Sequence, residues 1–123
     1  VLDSSGFEHV FLGETRNSEV TGFHNWVQFY LEEQKGALAY TGNRGNCLPR
    51  VDSMSLTWNG RSKSISSIFT ATSPEYDFAL MTLCFVARAN GNCPTSTEGN
   101  SGRIVSYTMS GYPKTVGSAY PTC

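Results

Sequence analysis

Apolar positions recur along the chain with two different periods. Over residues 22–35, GFHNWVQFYLEEQK, Phe23, Trp26, Val27, Tyr30 and Leu31 fall at i, i+3, i+4, i+7 and i+8, the stripe of an amphipathic helix. Thr21 offers a capping oxygen at its start, and Gly36 a residue able to take the left-handed conformation that ends a helix. Residues 74–87, PEYDFALMTLCFVA, predict a second helix with Ser73 as cap and Pro74 in the first turn. Its apolar content is nearly continuous, so burial on several sides is expected.

Period two takes over elsewhere. Met54, Leu56 and Trp58 alternate along Ser53–Trp58, and Asn59-Gly60 is a strong hairpin signal that makes Lys63–Ala71 the partner strand. Ala37–Thr41 is a short strand. In the tail, Arg103–Met109 and Thr115–Tyr120 read as a hairpin turning through Gly111-Tyr112-Pro113. The stretches 42–50 and 89–102, rich in Gly, Asn, Arg and Pro, are expected as loops. Two helices and several antiparallel strands make an α+β domain: two antiparallel sheets or hairpins with helices packed on one side.

A chain of 123 residues fits a single domain spanning 1–123, and its apolar content of 39% is too high for disorder. It holds no run of about 18 apolar residues, so no membrane span is expected. No basic-then-apolar leader is visible, and the first residue is Val1, as in a processed product or a domain taken from something longer. The net charge of −1 argues against coating nucleic acid through a broad basic face, but not against touching a few phosphates. The charges are uneven. Residues 1–34 carry one cation, Arg16, against Asp3, Glu8, Glu14, Glu19, Glu32 and Glu33, whereas residues 44–63 carry Arg44, Arg50, Arg61 and Lys63 against Asp52. That second segment is either surface scatter or a local anion site. Of Cys47, Cys84, Cys93 and Cys123, none forms a CxxC pair, which disfavours structural zinc. Cys84 and Cys93 bracket a loop that a disulfide could close, implying an oxidising compartment; reduced, buried thiols are the alternative.

The chemistry-bearing residues are few. The only histidines are His9, in Gly6-Phe7-Glu8-His9-Val10-Phe11-Leu12-Gly13-Glu14, and His24, in Gly22-Phe23-His24-Asn25-Trp26. They lack HEXXH or HxH metal spacing, and a general acid and base is the other use of such a pair. RNA cleavage without a metal needs that pair: one imidazole deprotonates the ribose 2′-hydroxyl and the other protonates the departing 5′-oxygen. An ammonium would stabilise the charged phosphorane between them. Lys63 lies on the strand after Asn59-Gly60, and Ser67, four residues on, shares its sheet face.

These segments resemble the EndoU, or XendoU-type, endoribonuclease family. Phe7–Glu14 is similar to its FEHVFxGE motif, Thr21–Trp26 to its TGFHNW motif, and Ser73–Phe85 to its SPEFxxALxxLCF helix; residues 5–88 carry the likeness. It implies cleavage of single-stranded RNA at uridylates to 2′,3′-cyclic phosphates, with His9, His24 and Lys63 as the catalytic set. Glu8 and Glu14 match motif carboxylates implicated in activity, and Ser67 a serine that contacts uracil. Tyr120-Pro121 resembles a Tyr-Pro pair that supports the nucleotide in a related viral enzyme, with Tyr107 or Tyr112 as substitutes. Some members need Mn²⁺. With no compact ligand cluster here, no cofactor is expected for the chemistry and no metal ligand is assigned, so an ion would help RNA bind. Animal members carry an additional N-terminal lobe, and the short length is closer to compact bacterial toxin domains. That likeness implies a monomer delivered outside the producing cell, guarded by an acidic protein inhibitor that meets the 44–63 segment. Three rival readings remain: a non-catalytic RNA-binding module, a metal-dependent hydrolase, and a disulfide-stapled structural domain. His24 is expected to be the base, because the positive end of the helix dipole in its first turn disfavours an imidazolium, and His9, beside Glu8 and Glu14, the acid.

Overall fold

The computed structural model describes residues 5–123, apart from the side chain of Cys47; Val1–Ser4, with the Asp3 counted above, lie outside the described residues. The described chain opens on a reciprocal cap. Ser5 Oγ accepts from the Glu8 amide at 3.2 Å, and the Glu8 carboxylate accepts from the Ser5 amide at 2.8 Å. The turn that follows, Glu8–Leu12, is wound as a π-helix and buries Val10 and Phe11. It stops at Gly13, with φ of 80°, where a Cβ would meet the Phe23 ring.

Next come a hairpin of β1 (Glu14–Arg16) and β2 (Glu19–Thr21), then α1 (Trp26–Gln34), and a meander of β3 (Leu38–Leu48), β4 (Val51–Trp58) and β5 (Arg61–Phe69). After α2 (Pro74–Arg88), a second meander runs through β6 (Asn92–Thr97), β7 (Asn100–Met109) and β8 (Tyr112–Thr122). The first sheet has the order β1-β2-β5-β4-β3 and the second β6-β7-β8. Every strand pairing is antiparallel except one parallel contact, Glu19 with Ser62, that joins β2 to β5. The result is the expected α+β class with two antiparallel-rich sheets. Asn59 and Gly60 both take positive φ, 49° and 76°, and close the β4–β5 hairpin as expected.

Four expectations change. The cap of α1 is not Thr21 but Asn25, whose side chain accepts from the Gln28 amide at 3.1 Å, so residues 22–24 stay outside the helix, with Gly22 and Phe23 at φ of 64° and 67°. The stripe through Val27, Tyr30 and Leu31 does not face the core. Glu32 does, because its carboxylate accepts from Trp58 Nε1 at 2.8 Å and Lys35 Nζ at 2.7 Å. Val27 and Leu31 instead line a surface groove with Phe7, Leu12 and Phe78. In α2 only Asp77, Met81 and Cys84 are buried, while Leu83 and Val86 stand 64% and 79% exposed, so burial is one-sided. Finally, the two supposed loops are largely strand. β3 continues to Leu48 through irregularities in register at Gly42 and Gly45, and β6 and β7 form a hairpin whose turn, Glu98-Gly99, takes φ of 50° and 82°.

Two apolar clusters hold the layers. Phe23, Leu38, Leu56 and Val20 fill the space between α1 and the first sheet, with Phe29 and Trp58 at the border. Val10, Phe11, Val51, Phe69, Met81, Ile104 and Ala119 join the π-helical turn, both sheets and α2. A disulfide between Cys84 and Cys93 fastens α2 to β6. Among the described residues no helix is long and apolar enough to cross a membrane.

Asp77 is a charge-bearing group in that second layer. It is fully buried, only one carboxylate oxygen has a hydrogen bond, from Thr72 Oγ1 at 2.6 Å, and burial pushes its pKa up to about 6. Because this value lies above the unfolded one, the folded state is favoured by the protonated form, and that stability is lost as pH rises through about 6. Asp77→Asn removes the penalty. The variant should gain on the native chain by about 1–2 kcal/mol between pH 5 and pH 8, read as the difference in denaturation midpoints at the two pH values; a constant difference would show that Asp77 does not titrate in the fold.

Candidate active site

The two histidine segments are spliced by main-chain hydrogen bonds. The Phe23 amide donates to the His9 carbonyl at 3.0 Å and the His24 amide to the Val10 carbonyl at 2.6 Å. Two backbone features permit this approach. Gly22 sits at φ 64°, where a Cβ would stand 1.9 Å from the His9 carbonyl oxygen, and Phe23 holds a left-handed φ of 67°. Ser66 Oγ fixes the turn from the other side by donating to the Phe23 carbonyl at 2.7 Å.

The side chains then converge on one cleft of about 480 Å³ between the two sheets, within the usual size range of small-molecule sites. His9, His24, Lys63, Ser67 and Tyr120 all line it, with Gly22 and Ser118 between them. His9 Nδ1 donates to Glu14 Oε2 at 3.0 Å, which leaves His9 Nε2 for the cleft. His24 Nδ1 faces the Ser67 carbonyl at 2.7 Å; a carbonyl only accepts, so the proton sits on Nδ1 and the Nε2 lone pair is free. The Tyr120 ring stacks on that imidazole, centroids 4.9 Å apart and planes 24° apart. Lys63 Nζ donates to the Gly22 carbonyl, which ties the ammonium to the turn between the histidines.

Burial sets the protonation states. His24 is 5% exposed, and burial holds its pKa well below 6.5; the Lys63 ammonium and His9 push the same way, while the Ser67 carbonyl bond opposes them. The expected cause was the helix dipole, but His24 precedes the Asn25 cap and lies outside the first turn, so loss of water is what keeps it neutral. Burial also lowers the Lys63 ammonium, to about 8. A neutral imidazole with a free lone pair, a second imidazole backed by a carboxylate, and an ammonium beside both can carry proton transfers around a phosphodiester.

A family model described as Endoribonuclease XendoU matches residues 1–121. The chain belongs to this endoribonuclease family. A uridylate-specific endoribonuclease of Mus musculus is 44% identical over 110 residues, covering 86% of this chain and 27% of that protein. Uridylate-specific endoribonuclease C of Xenopus laevis is 38% identical over 129 residues, covering 98% of this chain and 43% of that one. The chain therefore spans well under half the length of these relatives. The solved structure of XendoU, a splicing-independent snoRNA-processing endoribonuclease, superposes with a TM-score of 0.78 at 36% identity over 98% of this chain and 47% of that one. The endoribonuclease Nsp15 of Middle East Respiratory Syndrome Coronavirus shares the fold, with a TM-score of 0.70 at 17% identity over 98% of this chain and 34% of that one.

Within the XendoU-type fold, the expected site residues separate into three groups. His9, His24, Lys63, Ser67 and Tyr120 meet in the cleft, and Glu14 stands behind His9. Glu8 does not join them, since its carboxylate caps the Ser5 amide. Tyr107 lies beside Tyr120, at 6.3 Å between centroids, and Tyr112 is exposed where β8 begins; neither lines the cleft. Sequence reasoning missed Gly22 and Ser66; a glycine two residues before a candidate base was the available signal for the first. The donor set does not fit a chelated metal: among the described residues no three of His, Cys, Asp and Glu cluster, and Glu14 Oε2 is bonded to His9.

The titration of His24 tests this electrostatic picture. By NMR its ring should titrate well below 6.5, and Lys63→Met should raise the midpoint by removing a neighbouring positive charge. A midpoint that does not move in the variant would break the coupling between the two groups.

Proposed function

We propose that the chain is an endoribonuclease that cuts single-stranded RNA, preferentially at uridylates, by transesterification. The observation that carries this reading is the meeting of His9, His24 and Lys63 in one cleft. His24 Nε2 takes the proton of the 2′-hydroxyl. The 2′-oxygen forms a bond to phosphorus as the bond to the 5′-oxygen breaks, and His9 Nε2 delivers a proton to that oxygen. The products are a 2′,3′-cyclic phosphate and a 5′-hydroxyl. Lys63 stabilises the charge that builds on the phosphorane, and Glu14 holds His9 in the tautomer that presents Nε2. Ser67 and Tyr120 are assigned to the nucleoside, because they line the same cleft beside the reacting groups.

No cofactor is assigned to the chemistry, and Mn²⁺ is assigned a role in holding RNA phosphates. To the same proposal belong a monomeric enzyme acting outside its producing cell and a protein inhibitor meeting the 44–63 segment. Arg44, Arg50 and Arg61 in that segment each already hold an oxygen of the chain.

The experiment is cleavage of short RNAs carrying one U, C, A or G, in EDTA and in Mn²⁺, with the ends mapped by mass spectrometry. Cleavage 3′ of U with a cyclic phosphate should survive EDTA and fall at least about a hundredfold in His9→Ala, His24→Ala and Lys63→Ala. Binding without cleavage under both conditions would make the chain an RNA-binding module instead. The pH profile follows from the same groups. Activity should fall at acid pH as His24 gains a proton, and fall again above about 8 as Lys63 loses its charge; full activity at pH 10 would remove Lys63 from its role.

A further inference from the structure

Tyr120 reaches the cleft from the second sheet, with its β8 neighbours Ser118 and Thr122, whereas His9, His24, Lys63 and Ser67 come from the first sheet or the turns before it. Its position is set by β8 pairing with β7, where Tyr120 lies opposite Val105. One face of its ring is already used. It lies on the His24 imidazole, 4.9 Å between centroids with a 24° tilt, so a nucleobase cannot stack there while His24 holds its place. Tyr107 stands next to it, at 6.3 Å between ring centroids.

The imidazole needs such a neighbour. The bond from His24 Nδ1 to the Ser67 carbonyl restrains one ring atom, but it leaves the ring free to tilt about that contact. The tilt decides where the Nε2 lone pair points, and proton abstraction demands alignment with the 2′-hydroxyl. A flat ring stacked on the face removes the tilt. It also displaces water from that face, which a hydrogen bond to the edge does not do.

We propose that Tyr120 is a positioning residue for His24: by stacking on the imidazole it orients Nε2 and shields the ring from water, apart from any contact it makes with the nucleoside. The groups that face His24 define the setting. His9 approaches from the π-helical turn, Lys63 and the Ser67 carbonyl from β5, and Tyr120 from β8, with Arg103 and Tyr107 acting on the Tyr120 phenol from β7. Lys63 and His9 both disfavour a proton on His24, and the stacked ring adds the exclusion of water to their effect. The phenol itself, pushed up to about 12, stays neutral throughout the working range.

This inference rests on the proposed nuclease reading for its kinetic arm but not for its spectroscopic one. The experiment compares the full chain with Tyr120→Phe and Tyr120→Leu. His24 is titrated by NMR without RNA, and kcat and KM are measured against pH on a short uridine-containing RNA. Tyr120→Phe should keep the His24 midpoint, the ring-current shift of the His24 carbon-bound protons and the acid limb of kcat. Tyr120→Leu should lose the ring-current shift, move the midpoint up toward 6.5, carry the acid limb of kcat with it, and lower plateau kcat roughly tenfold. If Tyr120→Leu does not give a folded amide spectrum, Tyr120→Met makes the same comparison. An unmoved His24 midpoint and acid limb, with a raised KM or a lost preference for U, would reduce Tyr120 to a nucleoside contact and overturn the proposal. If no RNA is cleaved by the native chain, the nuclease reading fails, while the titration still decides whether Tyr120 governs His24.

Discussion

The site depends first on two main-chain hydrogen bonds, from the amides of Phe23 and His24 to the carbonyls of His9 and Val10. They bring together two segments that would otherwise be a helical turn and a strand end with no reason to touch. Side chains only support this splice. Ser66 ties the Phe23 carbonyl to β5, Lys63 reaches the Gly22 carbonyl, and the Phe23 ring, buried under Trp58 and beside Gly13, anchors the turn in the core. The two imidazoles are therefore spaced by backbone geometry, which is stiffer than any arrangement of long side chains.

Burial does opposite work on the ionisable groups around this splice. For His24 it removes the proton, which suits a base. For Lys63 it weakens the charge, so the ammonium keeps its proton with less margin than a lysine in water. Both shifts come from the same exclusion of solvent between two sheets, so a drier cleft would favour the neutral imidazole at the expense of the ammonium. Asp77, on the buried face of α2, takes the third form of the effect: a carboxyl raised by burial with one oxygen left unpaired. It lines no part of the cleft, and its cost is one of stability alone.

Much of this was legible in the sequence. Ser73 and Pro74 open α2 where their capping chemistry places them, Asn59-Gly60 turns the central hairpin, and the histidine motifs hold the residues that meet in the cleft. What was misread has physical causes. Thr21 and Asn25 are both capable caps, and the splice to the π-helical turn decides between them, because it holds residues 22–24 out of helical conformation. The periodic stripe of α1 pointed the wrong way because the helix is anchored by a polar contact, Glu32 with Trp58, that hydrophobic periodicity cannot register. The glycines and polar residues of 42–48 and 92–102 looked like loop because bulged and turn-rich strands use those residue types too. Glu8 is singled out by its match to a motif carboxylate, and that match does not register the direction of its side chain, which caps the Ser5 amide.

A geometry written in backbone amides and carbonyls asks little of side-chain identity. Any residue supplies the amides at 23 and 24 and the carbonyls at 9 and 10, save proline at the donors; only positions 13 and 22, where a Cβ would strike ring or carbonyl, are bound to glycine. Such a frame can stay constant while the layers around it are rebuilt. The shared fold of a viral chain only 17% identical shows how far that rebuilding can go with the architecture retained. In evolutionary terms, the join between the two histidine segments narrows the choices open to this chain at two positions, 13 and 22, and leaves the amides and carbonyls that form it indifferent to most substitutions.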